Sequence, residues 1–302
     1  MKGLRFFPEN RTALIVILLG LAFLGLFWWY PLIETFLLGF KQAGLGYPDE
    51  PWVGLSHYEE LFKSPVFRKV VINTLYLAVV IVPAQIVLGL AISTIIFRTK
   101  QVVFQRIGIL SFYTPYVLPI VAIGVLWKFL YHPSRFGIFN FLLSKLGIGV
   151  LRWLEDPQLA LTSIAIMQVW QRAGYVILIY FAGLQSIPSM YYEAADIDGA
   201  TAWQKFWSIT LPLLTSTTLF IVVTTSISAF MTFESIYVMT LTAQGGRGGP
   251  ANATNVMLYY VFNNAFDNNR MGFASAAATI LFLMILCVTL IQFRYLRRRF
   301  EY

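Results

Sequence analysis

Residues Val71–Phe97 read VINTLYLAVVIVPAQIVLGLAISTIIF, twenty-seven residues without one Asp, Glu, Lys or Arg. The hydrocarbon core of a bilayer, about 30 Å thick, takes ~20 mostly apolar residues to cross as a helix, so this block is long enough to span. Five further apolar blocks flank it: about Leu14–Tyr30, Ile107–Leu130, Leu159–Leu184, Leu213–Val238 and Met271–Phe293. No water is available inside a bilayer to satisfy backbone N–H and C=O groups, and a helix satisfies its own. The expected fold class is therefore all-α: a polytopic membrane protein with six transmembrane helices. We expect a single transmembrane domain over 1–302, with spans at 14–30, 71–97, 107–130, 159–184, 213–238 and 271–293.

Composition points the same way. Hydrophobic residues make up 58% of the 302 and charged residues 12%, about half the roughly 25% usual in soluble domains. The first block follows Lys2, Arg5 and Arg11 as a signal peptide would, but its apolar run is too long and Tyr30-Pro31 stands where a small-residue cleavage site belongs. A retained helix is expected. Cys287 is the one cysteine, which leaves no disulfide framework and no cysteine-based metal site. His57 and His132 lie far apart in sequence and read as surface histidines. The formal charge of +8 sits beside apolar blocks with no aromatic-basic groove, which argues for orientation in a membrane and against nucleic acid as a partner.

Cations alternate between segments. Lys2, Arg5 and Arg11 precede the first block; Arg98, Lys100 and Arg106 fill the turn after the second; Arg294, Arg297, Arg298 and Arg299 end the chain. The segments 31–70, 131–158 and 239–270 are longer and carry the acids Glu34, Asp49, Glu50, Glu59, Glu60, Glu155, Asp156 and Asp267. The positive-inside rule places both termini in the cytoplasm, and parity places the loop 185–212 there too.

That loop has its own punctuation. Pro188 stops the fourth block, Ser189 is in position to cap a short helix through Glu193-Ala194-Ala195 to about Ile197, and Gly199 supplies a sharp turn. Thr201 and Gln204 form a capping box for a second helix with Trp203, Phe206 and Trp207 on one face, suited to a membrane interface. Pro212 then redirects the chain into the fifth block.

Glu193-Ala194-Ala195, three residues, Gly199, nine residues, then Ile209-x-Leu211-Pro212 resembles the "EAA" loop of binding-protein-dependent ABC importer permeases. Asp198-Gly199-Ala200 and Phe206 resemble the sugar branch of that family, the maltose, glycerol-phosphate, lactose and multiple-sugar permeases. Tyr30-Pro31, Trp52-Val53-Gly54-Leu55, Asn73-Thr74-Leu75, Leu184-Gln185-Ser186-Ile187-Pro188, and Gly248-Gly249-Pro250 followed by Ala253-Thr254 fit as well. The chain departs from its relatives in having no further proline after Leu211-Pro212 and in the extra residues Ala243–Arg247.

The resemblance implies a type I ABC importer permease in a bacterial or archaeal plasma (inner) membrane. It implies a coupling loop, with Glu193, Ala194, Ala195, Asp198, Gly199, Leu211 and Pro212, seated on a separate ATPase subunit. The implied partners are a second related permease, two nucleotide-binding ATPase subunits, an extracytoplasmic solute-binding protein and membrane lipid. No G-x-x-x-x-G-K-[ST] loop occurs in the chain. It is expected to be no enzyme and to bind no cofactor, with ATP and Mg used by the partner subunits.

Polar residues inside spans are candidates for a translocation path. Thr225, Ser228, Thr232 and Ser235 recur at helical spacing in the fifth block, and Gln168, Gln171, Arg172 and Tyr175 lie near mid-depth of the fourth. Gapless alignment to maltose-type relatives from Glu193 implies substrate contacts at Gln171, Arg172, Tyr175, Thr225, Ser228, Ala229 and Thr232. The alternative for the hydroxyl residues is back-bonding to their own helix; for Arg172 it is bracing, with Glu234 a candidate partner. Two other function classes are weaker. A membrane enzyme would need a catalytic set such as H-E-x-x-H, and a secondary transporter running on an ion gradient would show internal repeats and several intramembrane acids, whereas Glu234 is the only acid inside a block.

Overall fold

A computed structural model describes residues 11–46, 50–99, 101–240 and 248–297, with the backbone alone at 11, 12, 296 and 297. Lys2, Arg5, Asp49, Lys100, Ala243–Arg247, Arg298 and Arg299 lie outside the described residues. The described residues are helical, with no strand and one isolated bridge, Lys41 to Trp52.

In chain order, α1 (Arg11–Leu24) runs through a wide π turn, Gly25–Trp29, into α2 (Tyr30–Leu38). A short α3 (Ser56–Lys63) precedes α4 (Pro65–Arg98), α5 (Val102–Val117), α6 (Ile120–Leu130), α7 (Ile138–Lys145) and α8 (Ala160–Gln185). The loop after α8 holds α9 (Ser189–Ile197), α10 (Ala202–Lys205), a π turn at Phe206–Thr210 and α11 (Leu211–Leu213). The chain ends in α12 (Thr215–Phe230), α13 (Glu234–Thr240), α14 (Met257–Phe262) and α15 (Met271–Arg297). By length and composition four of the described helices could cross a membrane: Ala13–Leu38, Pro65–Arg98, Ala160–Gln185 and Met271–Tyr295. The number is six if each of two bent pairs is one span.

Three spans differ in shape from simple rods. The first helix carries on past Tyr30-Pro31, with a π turn at Gly25–Trp29 directly before the proline. The third is broken between Val117 and Ile120 with a 97° bend. Leu118 is extended (φ −70, ψ 144), as the residue before a proline prefers. By contrast, α4 continues through Pro83. The fifth stops at Phe230 and resumes at Glu234. Gln168 of α8 holds both sides of this gap: its Nε2 donates to Ser235 Oγ (2.7 Å) and its Oε1 accepts from Thr232 Oγ1 (3.2 Å). Broken backbone at membrane depth needs such protein partners.

The chain divides into two compact units, Met1–Lys63 with Val261–Ile280, and Ser64–Tyr260 with Leu281–Tyr302. In the first, Leu45 N–H donates to Asn269 Oδ1 (2.6 Å), Asn269 Nδ2 returns a bond to Leu45 O (2.9 Å), and Gly272 N–H donates to Ala43 O (3.1 Å). Arg270 forks onto Glu60 (2.9 and 2.6 Å) and lies over the Phe273 ring. That guanidinium holds the Glu60 carboxyl below the usual carboxylate range. A depressed pKa stabilises the fold above the unfolded glutamate value, ~4.3, and the contribution is lost as pH falls through the folded value. Glu60→Gln should therefore cost under about 1 kcal/mol at pH 7, since both groups are partly exposed, and less at pH 3. Thermal melts of both forms at the two pH values check this.

In the second unit α8 is the centre, 61% buried against 28% for α4. Glycines permit the close approach that binds membrane helices together: a Cβ on Gly89 of α4 would lie 2.4 Å from Val176 Cγ1, and one on Gly174 of α8 2.1 Å from the Phe112 carbonyl oxygen of α5. The buried cluster of Leu77, Ile81, Ile123, Trp127, Ile164, Met167, Ile236 and Tyr259 joins α4, α6, α8, α13 and α14. Gln292 Nε2 of α15 donates to Ser226 Oγ of α12 (2.7 Å).

Two sequence fragments far apart in the chain meet in this unit. Asn73 Nδ2 donates to Asn252 O (3.0 Å) and Asn255 O (2.9 Å), and Thr74 Oγ1 accepts from Met257 N–H (2.9 Å). The clasped turn carries positive φ at Gly248, Gly249, Ala251 and Asn252. Gly249 could bear no Cβ there, since it would meet Thr254 Oγ1 at 2.3 Å.

Candidate functional site

The loop 185–212 folds into a knuckle. Helix α9 begins with Pro188 in the cap position and no side-chain cap, so Ser189 is the first helical residue and not the cap. The other end explains the spacing of Ala195 and Gly199. Ala200 N–H donates to Ala195 O (2.9 Å) and Gly199 N–H to Asp196 O (3.1 Å), a Schellman motif that requires a left-handed residue just past the helix. Gly199 is that residue, at φ +74. The capping box of Thr201 and Gln204 opens α10.

Two contacts that sequence reasoning missed join the arms of the knuckle. Asp196 pairs with Lys205, and Tyr192 OH lies 2.9 Å from Thr210 Oγ1. Both span the turn at separations of nine and eighteen residues, and no local rule of spacing marks them. The outward face of α9 is left open: Met190 is 65% exposed and Ile197 88%, with Glu193 and Ala194 exposed between them. These four stand at i, i+3, i+4 and i+7, the anchor pattern of a helix that lies in a partner's groove. Trp203 and Trp207 are also exposed and pack on each other and on Phe206. Leu211 and Pro212 form α11 directly after the π turn, where the proline falls in the first helical turn. The axis then bends 64° into α12.

A second candidate lies among the spans. A cavity of about 150 Å³ is lined by Gln85 of α4, Tyr116 of α5, Arg172 and Tyr175 of α8, and Thr224, Thr225 and Ser228 of α12. Four of the sequence-derived path residues, Arg172, Tyr175, Thr225 and Ser228, thus come together. Tyr116 and Tyr175 stack, with ring centroids 5.3 Å apart. The Thr224 and Thr225 hydroxyls donate to Phe220 O (2.8 Å) and Ile221 O (2.6 Å) of their own helix, which leaves their lone pairs to accept. Gln85 is fully buried, and its Oε1 has no partner.

The remaining three path candidates line no part of this cavity. Gln171 is buried with Nε2 3.5 Å from Tyr116 O, Ala229 is buried in packing, and Thr232 is spent on Gln168. Gln85, Tyr116 and Thr224 had not been singled out. For Gln85 the signal was available, since it is an amide in the middle of an otherwise apolar block. Among the described residues no group of three His, Cys, Asp or Glu gathers as metal ligands. His57 Nε2 lies 3.1 Å from Lys41 O, and His132 Nδ1 2.9 Å from Ser134 Oγ.

Comparison with known proteins adds an independent line. Residues 65–302 match the family described as the binding-protein-dependent transport system inner membrane component. The trehalose/maltose transport system permease protein MalF of Thermococcus litoralis is 31% identical over 294 residues, 97% of this chain and 96% of that one. The sulfoquinovosyl glycerol transport system permease protein SmoG of Agrobacterium fabrum is 30% identical over 272 residues, 89% of this chain and 85% of that one. A chain from the crystal structure of a bacterial ABC transporter involved in the import of the acidic polysaccharide alginate superposes with a TM-score of 0.81 at 25% identity, covering 96% of both chains.

Proposed function

The chain belongs to the family of binding-protein-dependent transport system inner membrane components, and we propose that it is the permease through which an ATP-driven ABC importer moves a sugar across the membrane. It is a membrane-embedded transport subunit of that family. The sugar is an oligosaccharide, a disaccharide or a related polyol or sugar phosphate, delivered by an external solute-binding protein. A second, related permease completes the path, and two ATPase subunits bind and hydrolyse ATP with Mg. Both termini and the knuckle face the cytoplasm.

The observation that carries this reading is the knuckle. A cross-linked helical turn that presents Met190, Glu193, Ala194 and Ile197 outward is a docking element for a partner that moves. Closure of the ATPases on ATP draws the two knuckles together. Each bend between α11 and α12 passes the motion into a span that lines the cavity, which opens the path outward. A gradient-driven carrier has no use for such a part. Affinity purification of the tagged chain from its native membrane should bring down an ATPase subunit and a second permease. Single cysteines should be labelled at position 101 only from the cytoplasmic side and at position 145 only from outside. Purification without an ATPase, or labelling of position 101 from outside, sinks the proposal.

A further inference from the structure

Arg172 is the thirteenth of the twenty-six residues of α8, about 18 Å along the axis from either end, and its side chain is half-buried against the cavity. Among the described residues it makes no hydrogen bond and no ion pair, and no Asp or Glu lines its cavity. Glu234, the acid considered from sequence, is absent from that lining and makes no ion pair with Arg172, but it lies near enough to act on the guanidinium electrostatically. A charge held at mid-membrane marks a substrate or ion pathway and needs compensation. The other lining groups offer none: Thr224 and Thr225 have spent their protons on their own helix, and Gln85 presents an unpaired carbonyl oxygen.

Read together, the wall asks for two things from one ligand. Arg172 supplies a planar fork of N–H donors that fits an oxyanion, while the half-buried Thr224 and Ser228 oxygens on the wall can accept from hydroxyls. The Tyr116–Tyr175 stack supplies an apolar wall. A cavity of about 150 Å³ takes one six-membered ring. We infer that the unit held here is a sugar ring bearing a negative charge, a carboxylate, sulfonate, sulfate or phosphate, and that Arg172 is the residue that selects for it. This deepens the importer reading and rests on it.

The test uses the complete transporter in proteoliposomes and four matched disaccharides: a neutral one, its C6-oxidised uronate, the methyl ester of that uronate, and the C6-sulfate. ATP-dependent uptake of the uronate and sulfate should exceed that of the neutral sugar and the ester at least tenfold. Arg172→Gln should cut uptake of both anions at least tenfold and so abolish their advantage over the neutral sugar and the ester. Arg172→Lys should restore only part, because a point charge replaces a fork. A preference for sulfate over uronate, or the reverse, distinguishes the tetrahedral from the planar anion. The inference is overturned if the neutral sugar and ester move as fast as the anions, or if Arg172→Gln lowers all four equally, as it would were the guanidinium there only to balance Glu234. Should Arg172→Gln fail to assemble, the wild-type contrast between uronate and methyl ester decides. If no sugar of either charge drives uptake or ATP hydrolysis, it is the importer reading that falls.

Discussion

Glu193→Lys is expected to leave the chain folded in the membrane and to cut sugar transport at least tenfold. The Glu193 side chain is exposed and makes no hydrogen bond within the described residues, so reversing its charge removes nothing that holds the knuckle together. What it changes is the surface offered to the ATPase, at the centre of the face formed by Met190, Ala194 and Ile197. Central, desolvated positions of an interface cost about 2 kcal/mol or more when altered, roughly thirty-fold in affinity. Gly199→Val reaches the same end by another route. A Cβ there meets nothing within 4 Å, yet the position sits at φ +74, where a side chain costs about 1–2 kcal/mol and a branched one more. The turn would relax out of its Schellman geometry and carry the outward face with it. Gly199→Asn, which tolerates left-handed backbone, should be much milder. Immunoblots of membranes, co-purification of the ATPase and uptake in proteoliposomes measure the three quantities. Both variants transporting normally with the ATPase bound would remove the knuckle from the coupling pathway.

How much of this was legible in the sequence depends on where the physical cause lies. The apolar blocks follow from the bilayer, which acts on every residue of a span, so they stand out in composition. The capping box at Thr201 and the turn at Gly199 are set by residues within a few positions of each other, and so could be read directly. The break after Phe230 could not. It contains neither Pro nor Gly and is held by Gln168, sixty-odd residues upstream in α8. A proline, Pro119, stands at the other break, but Pro83 and Pro115 lie inside helices that continue through them, so proline alone does not mark a break. The π turns at Gly25–Trp29 and Phe206–Thr210 have no compositional signature. In the cavity, Arg172, Tyr175, Thr225 and Ser228 could be found because the two helices that carry them flank the recognised loop. Tyr116 and Gln85 arrive on α5 and α4, and their placement depends on how closely those helices approach α8.

That approach is set by Gly174, and replacing it with leucine is expected to destroy the fold of the second unit. An ideal Cβ at 174 would lie 2.1 Å from Phe112 O, 2.6 Å from Phe112 C and 2.6 Å from Tyr113 Cα. All three are backbone atoms of α5, so no rotamer change relieves the clash and α5 must move bodily away. Overpacking against yielding side chains costs about 1–3 kcal/mol; here nothing yields. Lipid tails are as apolar as the helices, so no hydrophobic gain holds α5 in place once the close contact is lost. The cluster of Ile96, Ala173, Ile177 and Phe181, with Ile109 of α5 against it, would open with it. Tyr116 would leave its stack on Tyr175, which removes one wall of the cavity. Gly174→Leu should thus yield little monodisperse protein and no uptake. Gly174→Ala should yield some folded protein with a lowered Tm and reduced uptake, because even one methyl displaces the Tyr116 wall. Gly20→Leu is the control: it too places leucine at a glycine of an apolar helix, but a Cβ at Gly20 meets nothing within 4 Å, so yield and Tm should match wild type. Equal yield and Tm for the two leucine variants would mean that α5 and α8 do not meet at Gly174, and the cavity built on that contact would have to be abandoned.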